Sequence, residues 1–401
     1  MDTECCIVGA GPAGAVLALL LARQGVDVRL LEAHGDFQRD FRGDIIHPST
    51  LELMDQLGLV DRLLEIPHGT IEGFILHTPF SMVPLRTIGD LKSKYPYLLQ
   101  LPQAAFLELI TSEAGRYASL HLAMGARVEG LIEDDETIRG VRYRDARGSH
   151  ELRARLTIAA DGRFSRVRQL AGMKPVATAQ PVDCLWFRLP HLLSDAPDAG
   201  GIYVADGRVM VLLDRGAEWQ ASYWMPKGTY QSLRSAGVDS LRQSIIALAP
   251  WLADRAAELQ DWNQTAMLAV ESSRLERWYR PGLLLIGDAA HVMSPVGGVG
   301  INLAIQDAVA TSNIVGPRVK HGTLRTRDLA GVQRRREWPT RLVQGAQAQM
   351  MRQILAAGDS RGPHPVHMPL AARLIQQIRF LQSVRTRLFA YGGFTPERLR
   401  A

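Results

Sequence analysis

The residues of this chain best placed to hold a phosphate are Gly9, Gly11 and Gly14, in the stretch Gly9-Ala-Gly11-Pro-Ala-Gly14 directly after the apolar run Cys5–Val8. A strand that turns through Gly-x-Gly-x-x-Gly into an Ala/Leu-rich helix, here Ala15–Ala22, offers backbone N–H groups and the positive end of a helix dipole to a pyrophosphate. Each glycine provides clearance: Gly9 for the tight turn, Gly11 for approach to the phosphate, Gly14 for contact between helix and sheet. Val28–Leu31 reads as the next strand, and Glu32 at its end sits where a carboxylate accepts hydrogen bonds from a ribose diol. Two more acid and glycine pairs follow apolar runs: Asp161-Gly162 after Leu156–Ala160, and Gly287-Asp288 after Leu283–Ile286, with the glycine-rich Pro295–Asn302 close behind.

The first fingerprint alone does not choose between NAD and FAD, and the later pairs do. Ala160-Asp161-Gly162-Arg163-Phe164-Ser165-Arg166-Val167-Arg168 resembles the Asp-Gly motif of the para-hydroxybenzoate hydroxylase family, the single-component class A flavin monooxygenases. Gly287-Asp288-Ala289-Ala290-His291, followed by Pro295–Asn302 and Ala304-Ile-Gln306-Asp307-Ala308, is similar to that family's Gly-Asp motif. Motif order, spacing and chain length agree with the family, whereas the segment from Val182 to Trp262 carries no signature of it.

The resemblance implies an α/β fold: a Rossmann-like FAD-binding domain with an inserted β-sheet substrate domain and C-terminal helices. It implies FAD, tightly but non-covalently bound, with Gly9, Gly11, Ala13, Gly14, Glu32, Val128, Asp161, Gly162, Gly287 and Asp288 around it. Asp288 is expected on the ribityl chain, Asp161 by the phosphates and the path of the nicotinamide cofactor, and Pro295 beside the isoalloxazine as part of the catalytic centre. The turn Gly297, Gly298, Gly300, Ile301, Asn302 is expected to point N–H groups at the flavin edge where negative charge collects on reduction. Gln103 resembles the family's FAD-contacting glutamine. Arg42 resembles its phosphate-facing arginine, although with Arg39, Asp40 and Asp44 it also reads as a solvated charge cluster.

In chemical terms the resemblance implies that NADH or NADPH reduces FAD and that dioxygen then adds at flavin C4a. The distal oxygen of the C4a-hydroperoxide passes to an electron-rich carbon of an aromatic or polycyclic, polyketide-like molecule. A general base would assist on a phenol; the candidate is His47, with Asp44 to orient it. The alternatives left by the residues are a dehydrogenase or reductase of an apolar substrate, indifferent to oxygen, and a flavoprotein without turnover. A halogenase is disfavoured, because Tyr223-Trp224-Met225-Pro226 only echoes the Trp-x-Trp-x-Ile-Pro motif of that class.

These groups need elements to hold them. At 401 residues and 46% hydrophobic, the chain can bury two domains. The expected division is 1–75, 100–180 and 265–345 for the flavin domain, 76–99 and 181–264 for the substrate domain, and 346–401 for a C-terminal helical region. Segments Ala126–Leu131, Gly140–Arg144 and Glu151–Arg153 read as a β-meander. Longer strands, Cys184–Leu189, Ile202–Ala205, Arg208–Asp214 and Ala217–Met225, read as the substrate sheet, with Trp186 and Arg188 (or Leu185 and Phe187), Tyr203, Met210, Leu212, Tyr223 and Met225 as the expected pocket lining.

A net charge of +5 with interspersed acids indicates no nucleic-acid groove, and Arg334-Arg335-Arg336 reads as a solvated helix face. Three cysteines without metal spacing predict neither a disulfide framework nor a metal. With no signal peptide or spanning segment, the expectation is a cytoplasmic monomer or homodimer. The amphipathic stretch Met368–Tyr391 is expected to pack on the flavin domain rather than rest on a membrane.

Overall fold

The computed structural model describes residues 2–38, 45–85, 88–196, 198–358, 386–388, 390–392 and 395–400. Its first layer is a parallel sheet ordered Leu283–Leu285, Gly148–Ala159, Thr3–Val8, Val28–Leu31, Leu120–Ala123, with Tyr279–Arg280 added antiparallel at one edge. Cys5, Cys6 and Ile7 are fully buried, since helices or strands cover both faces, and the run is apolar without alternation for that reason. Helix Pro12–Arg23 follows the first turn, started by a proline at its first position and filled with Ala and Leu, and packs between helices Gly300–Lys320 and Gln103–Ala114.

The meander is present as Arg127–Asp134, Thr137–Asp145 and Gly148–Ala159. Glu151–Arg153 and Leu156–Ala160, read as separate segments in the sequence, belong to one long strand, with Ala160 just past its end. That strand serves two sheets, pairing antiparallel with Thr137–Asp145 along its first half and parallel with Thr3–Val8 further on.

The second layer is a seven-stranded sheet ordered Thr265–Leu268, Val182–Pro190, Glu218–Pro226, Arg208–Asp214, Gly201–Ala205, Phe74–Thr78, Ser81–Leu85. Phe74–Thr78 straddles the expected boundary at 75/76, and Thr265–Leu268, expected in the flavin domain, pairs with Val182–Pro190 instead.

The alternation of this sheet reverses the expected pocket lining. Tyr203, Met210, Leu212 and Tyr223, with Leu185, Phe187 and Met225, face helix Val238–Leu248 and are buried among Leu241, Ile245 and Leu252. The opposite face carries Cys184, Ile202, Val204, Val209 and Trp224, with Trp186 and Val211, and meets Val296 of the glycine-rich segment and Met351. Period-two alternation separates the two sets but does not say which one a helix will cover. Of the expected lining, Trp186, with Arg188 two residues on along the same strand, lies on the face toward the glycine-rich segment.

A small sheet of Ile45–Ile46, Leu98–Gln100 and Gly69–Ile71 lies between these layers. Helix Thr326–Gly358 runs through the expected boundary at 345/346. Most of Met368–Tyr391 lies outside the described residues, among which no helix is long and apolar enough to cross a membrane.

Candidate functional site

Strand register gathers the three motifs at one edge of the parallel sheet. Val8 pairs with both Leu31 and Ala159, and Ala159 pairs with Leu285, so Gly9, Glu32, Asp161 and Gly287 emerge together beyond the carboxyl ends of the strands. In open α/β sheets a ligand crevice forms at such an edge.

The glycines of the first turn divide into two that pack and one that leaves room. A Cβ on Gly14 would lie 1.9 Å from the Gly9 carbonyl oxygen, and one on Gly9, whose φ is +98°, would lie 2.5 Å from the Ala160 carbonyl oxygen. A Cβ on Gly11 would meet no protein atom within 4 Å. That opening faces the start of a helix with no side-chain cap, which fits a pyrophosphate lying across it. Glu32 holds the turn: Oε2 accepts from the Ala10 N–H at 2.9 Å, and Oε1 lies 2.7 Å from His34 Nδ1. Val128 packs beside Leu31 in the core, and Ala126 donates to the Glu32 carbonyl. Ala13 meets the other motif, since a Cβ on Gly287 would lie 3.3 Å from its own. Gln103 is the first residue of the helix Gln103–Ala114.

The Asp161 carboxylate is occupied locally. It accepts from Ser165 Oγ at 2.5 Å and from the Val167 N–H at 3.0 Å, and burial, against these hydrogen bonds, raises its pKa above the usual carboxylate value. Ser165 in turn caps the short helix Arg166–Leu170. Arg168, inside the quoted motif but given no role by the sequence, joins the two acid motifs: its guanidinium donates to the carbonyls of Arg163, Asp288 and Ala289 at 2.6, 3.4 and 3.0 Å. Arg168→Met is expected to destabilise the protein by about 2 kcal/mol, the range for hydrogen bonds from a charged donor. It should also weaken FAD binding, measured by fluorescence titration of the apoprotein, because the backbone at Arg163 and at Asp288 loses its common tether.

At the glycine-rich turn, Gly297 and Gly298 have φ of +74° and +61°, and a Cβ on Gly298 would press to 3.1 Å from Ile45 Cδ1. His47 Nε2 lies 3.1 Å from the Gly298 carbonyl, so this nitrogen donates and is committed to holding the turn. Asp44 and Arg42 lie outside the described residues. Helix Gly300–Lys320 starts without a side-chain cap, leaving the N–H groups of its first turn to a ligand. Asn302 is fully buried; its Oδ1 accepts from Ser49 and Thr50, while its Nδ2 has no hydrogen-bond partner among the described residues. An orphan donor and an uncapped helix at this turn fit the carbonyl edge of a flavin ring.

A further cluster holds the Gly-Asp motif from behind. Asp307 Oδ2 accepts from the Gly287 N–H at 3.0 Å and pairs with His291 Nε2 at 2.6 Å, and Oδ1 pairs with Arg336 Nε at 2.9 Å. Arg336 is therefore a correction: Arg334 and Arg335 are exposed as expected of a solvated face, but Arg336 is 1% exposed and inside this network. A run of three arginines along a helix gives no sign that one of them turns inward onto an acid from another helix.

Two uncapped helix starts converging on a glycine-lined crevice, with a separate sheet laid opposite, define an FAD-dependent α/β flavoprotein of two layers. The chain belongs to the FAD binding domain family, whose model matches residues 2–328, and it is an FAD-dependent monooxygenase that uses NAD(P)H and dioxygen. The chain is 33% identical over 397 residues to a 6-methylpretetramide 4-monooxygenase of Streptomyces rimosus, covering 98% of this chain and 93% of that one. It is 24% identical over 340 residues to the protoasukamycin 4-monooxygenase of Streptomyces nodosus subsp. asukaensis, covering 80% and 81%. The crystal structure of p-nitrophenol 4-monooxygenase from Pseudomonas putida, 20% identical, shares the fold with a TM-score of 0.76, covering 100% of this chain and 99% of that one.

Proposed function

We propose that this monooxygenase hydroxylates an aromatic or polycyclic, polyketide-like small molecule lying between the glycine-rich turn and the Trp186, Val204, Trp224 face of the seven-stranded sheet. The observation that carries this reading is the packing of Val296, next to Pro295, against that face: it brings the turn and an apolar, aromatic-bearing wall to one place. The two relatives, a 6-methylpretetramide 4-monooxygenase and a protoasukamycin 4-monooxygenase, support the substrate class.

When bound, FAD supplies the redox chemistry between the nicotinamide cofactor and dioxygen. The residues of the chain do the rest. The N–H groups of Gly300 and Ile301 at the helix start and the Asn302 amide stabilise negative charge on the ring edge. Glu32 holds the turn that receives the phosphates, Asp288 receives the ribityl chain, and Pro295 and Val296 keep water from the ring face. In this reading His47 acts as a positioning residue for the Gly298 turn, because its Nε2 is bound to that carbonyl.

The test is turnover of the FAD-loaded enzyme with a panel of polyhydroxylated two- to four-ring aromatics under isotopically labelled dioxygen. Faster NAD(P)H oxidation together with one labelled oxygen atom in a hydroxylated product is the expected result. Label recovered only as hydrogen peroxide or water, with every aromatic returned unchanged, would overturn the substrate class.

A further inference from the structure

We infer that Gln100, seconded by Gln220, reads a carboxamide or lactam edge on the substrate and so sets which aromatics this enzyme accepts. The inference rests on the placement of the substrate just proposed. Gln100 is 3% exposed, and neither Oε1 nor Nε2 has a hydrogen-bond partner among the described residues. A buried carboxamide with both ends unpaired is a standing cost to the fold, and such a group calls for a partner that arrives later.

Its orientation follows from strand register. Gln100 pairs directly with Ile45 on one side and Gly69 on the other. Residues directly opposite in antiparallel strands project from the same face. The Ile45 side chain presses on Gly298, and a Cβ on Gly69 would point to the Asp214 carbonyl oxygen at 3.5 Å. The face that carries the Gln100 amide therefore looks toward the glycine-rich turn at one edge and, at the other, toward the end of the strand Arg208–Asp214, whose Val209 and Val211 lie on the sheet face proposed to bound the substrate.

Gln220 approaches from the sheet side. It pairs with Leu213, next to Asp214, and its neighbours Trp219 and Ala221 both belong to the helix-covered face, so Gln220 points the opposite way. It too is 3% exposed, and its Oε1 has no partner among the described residues.

A carboxamide presents a donor and an acceptor side by side. The complementary ligand edge presents an acceptor beside a donor, as an aromatic ring does when it carries a primary carboxamide or a lactam. A purely apolar ring of the same size would leave the buried amides unpaired and be rejected.

The test is calorimetric titration of the FAD-loaded enzyme with 2-naphthamide, whose carboxamide sets an N–H beside the carbonyl, and with 2-acetonaphthone, which has the carbonyl alone. The wild type is expected to bind the first about tenfold more tightly or better, the scale of one well-made hydrogen-bond pair. Gln100→Leu should erase that preference, keep its affinity for 2-acetonaphthone within about twofold, and melt no lower than the wild type, because an unpaired buried amide has been replaced by an apolar group. Gln100→Met gives the same readout should leucine fit poorly. A variant that keeps the preference, or loses affinity for both probes alike, overturns the role of Gln100 while leaving the aromatic-substrate reading intact. Wild-type enzyme that binds neither probe and turns over no aromatic overturns both.

Discussion

Gly14→Ala is expected to yield protein that purifies without flavin. The new Cβ would lie 1.9 Å from the Gly9 carbonyl oxygen, which is backbone and has no side-chain freedom to yield. Helix Pro12–Arg23 would have to retreat by about 1 Å or more to restore ordinary contact, yet every residue from Ala13 to Ala22 is buried against its neighbours. Overpacking of this kind costs about 1–3 kcal/mol in stability. The larger effect falls on FAD, because the retreat carries the N–H groups of the helix start away from the turn. Losing two hydrogen bonds to a charged phosphate, about 1.5–3 kcal/mol each, weakens binding by two orders of magnitude or more.

Gly11→Ala is the informative partner variant. Its Cβ meets no protein atom and its φ of −68° suits alanine, so the apoprotein should melt like the wild type while FAD affinity falls. Flavin-to-protein absorbance ratios after gel filtration, with thermal melts of both apoproteins, check the pair. A Gly14→Ala protein carrying a full complement of FAD would refute the argument.

Asp307→Asn is expected to be the most destabilising polar substitution, by about 3–5 kcal/mol, because it strands the Arg336 guanidinium in the interior without its counter-charge. The Asp307 carboxylate is wholly buried, which on its own would raise its pKa, but His291 and Arg336 outweigh burial and hold it below the usual range. A depressed pKa means stabilisation that is complete above the unfolded-state value, about 3.9, and lost as pH falls through the lower folded value. Urea unfolding at pH 7 should therefore show a wide gap between wild type and variant that narrows below about pH 4. Because Asp307 also accepts from the Gly287 N–H, the variant should lose FAD more readily as well. Equal urea midpoints at pH 7 would remove Asp307 from this role.

Both variants touch residues within motifs legible from the chain, but their legibility differs in kind. The clearance at Gly14 was readable because it arises between residues five apart, within one strand, turn and helix. The Asp307 to Arg336 pair was not, because it joins two helices whose packing no local pattern encodes, and the arginine run around Arg336 resembled solvent-facing charge. Arg168 stood inside a quoted motif, yet its bridge to the carbonyls of Asp288 and Ala289 appears only when two distant strand ends meet. The reversed face of the seven-stranded sheet has the same origin. Alternation grouped Tyr203, Met210, Leu212 and Tyr223 correctly as one set, but a helix further along the chain, Val238–Leu248, decided that this set would be core.

The chain by itself determined the FAD fingerprint, the order of the three motifs, the α/β class and the presence of a second sheet, because each depends on spacing within a turn or on the periodicity of a single element. Tertiary structure alone decided which face of that sheet meets the glycine-rich turn, where Arg168, Arg336 and Asp307 converge, and that Gln100 is buried unpaired beside that turn. Those features depend on which surfaces cover one another, and burial between elements distant in sequence is settled by packing rather than by local pattern.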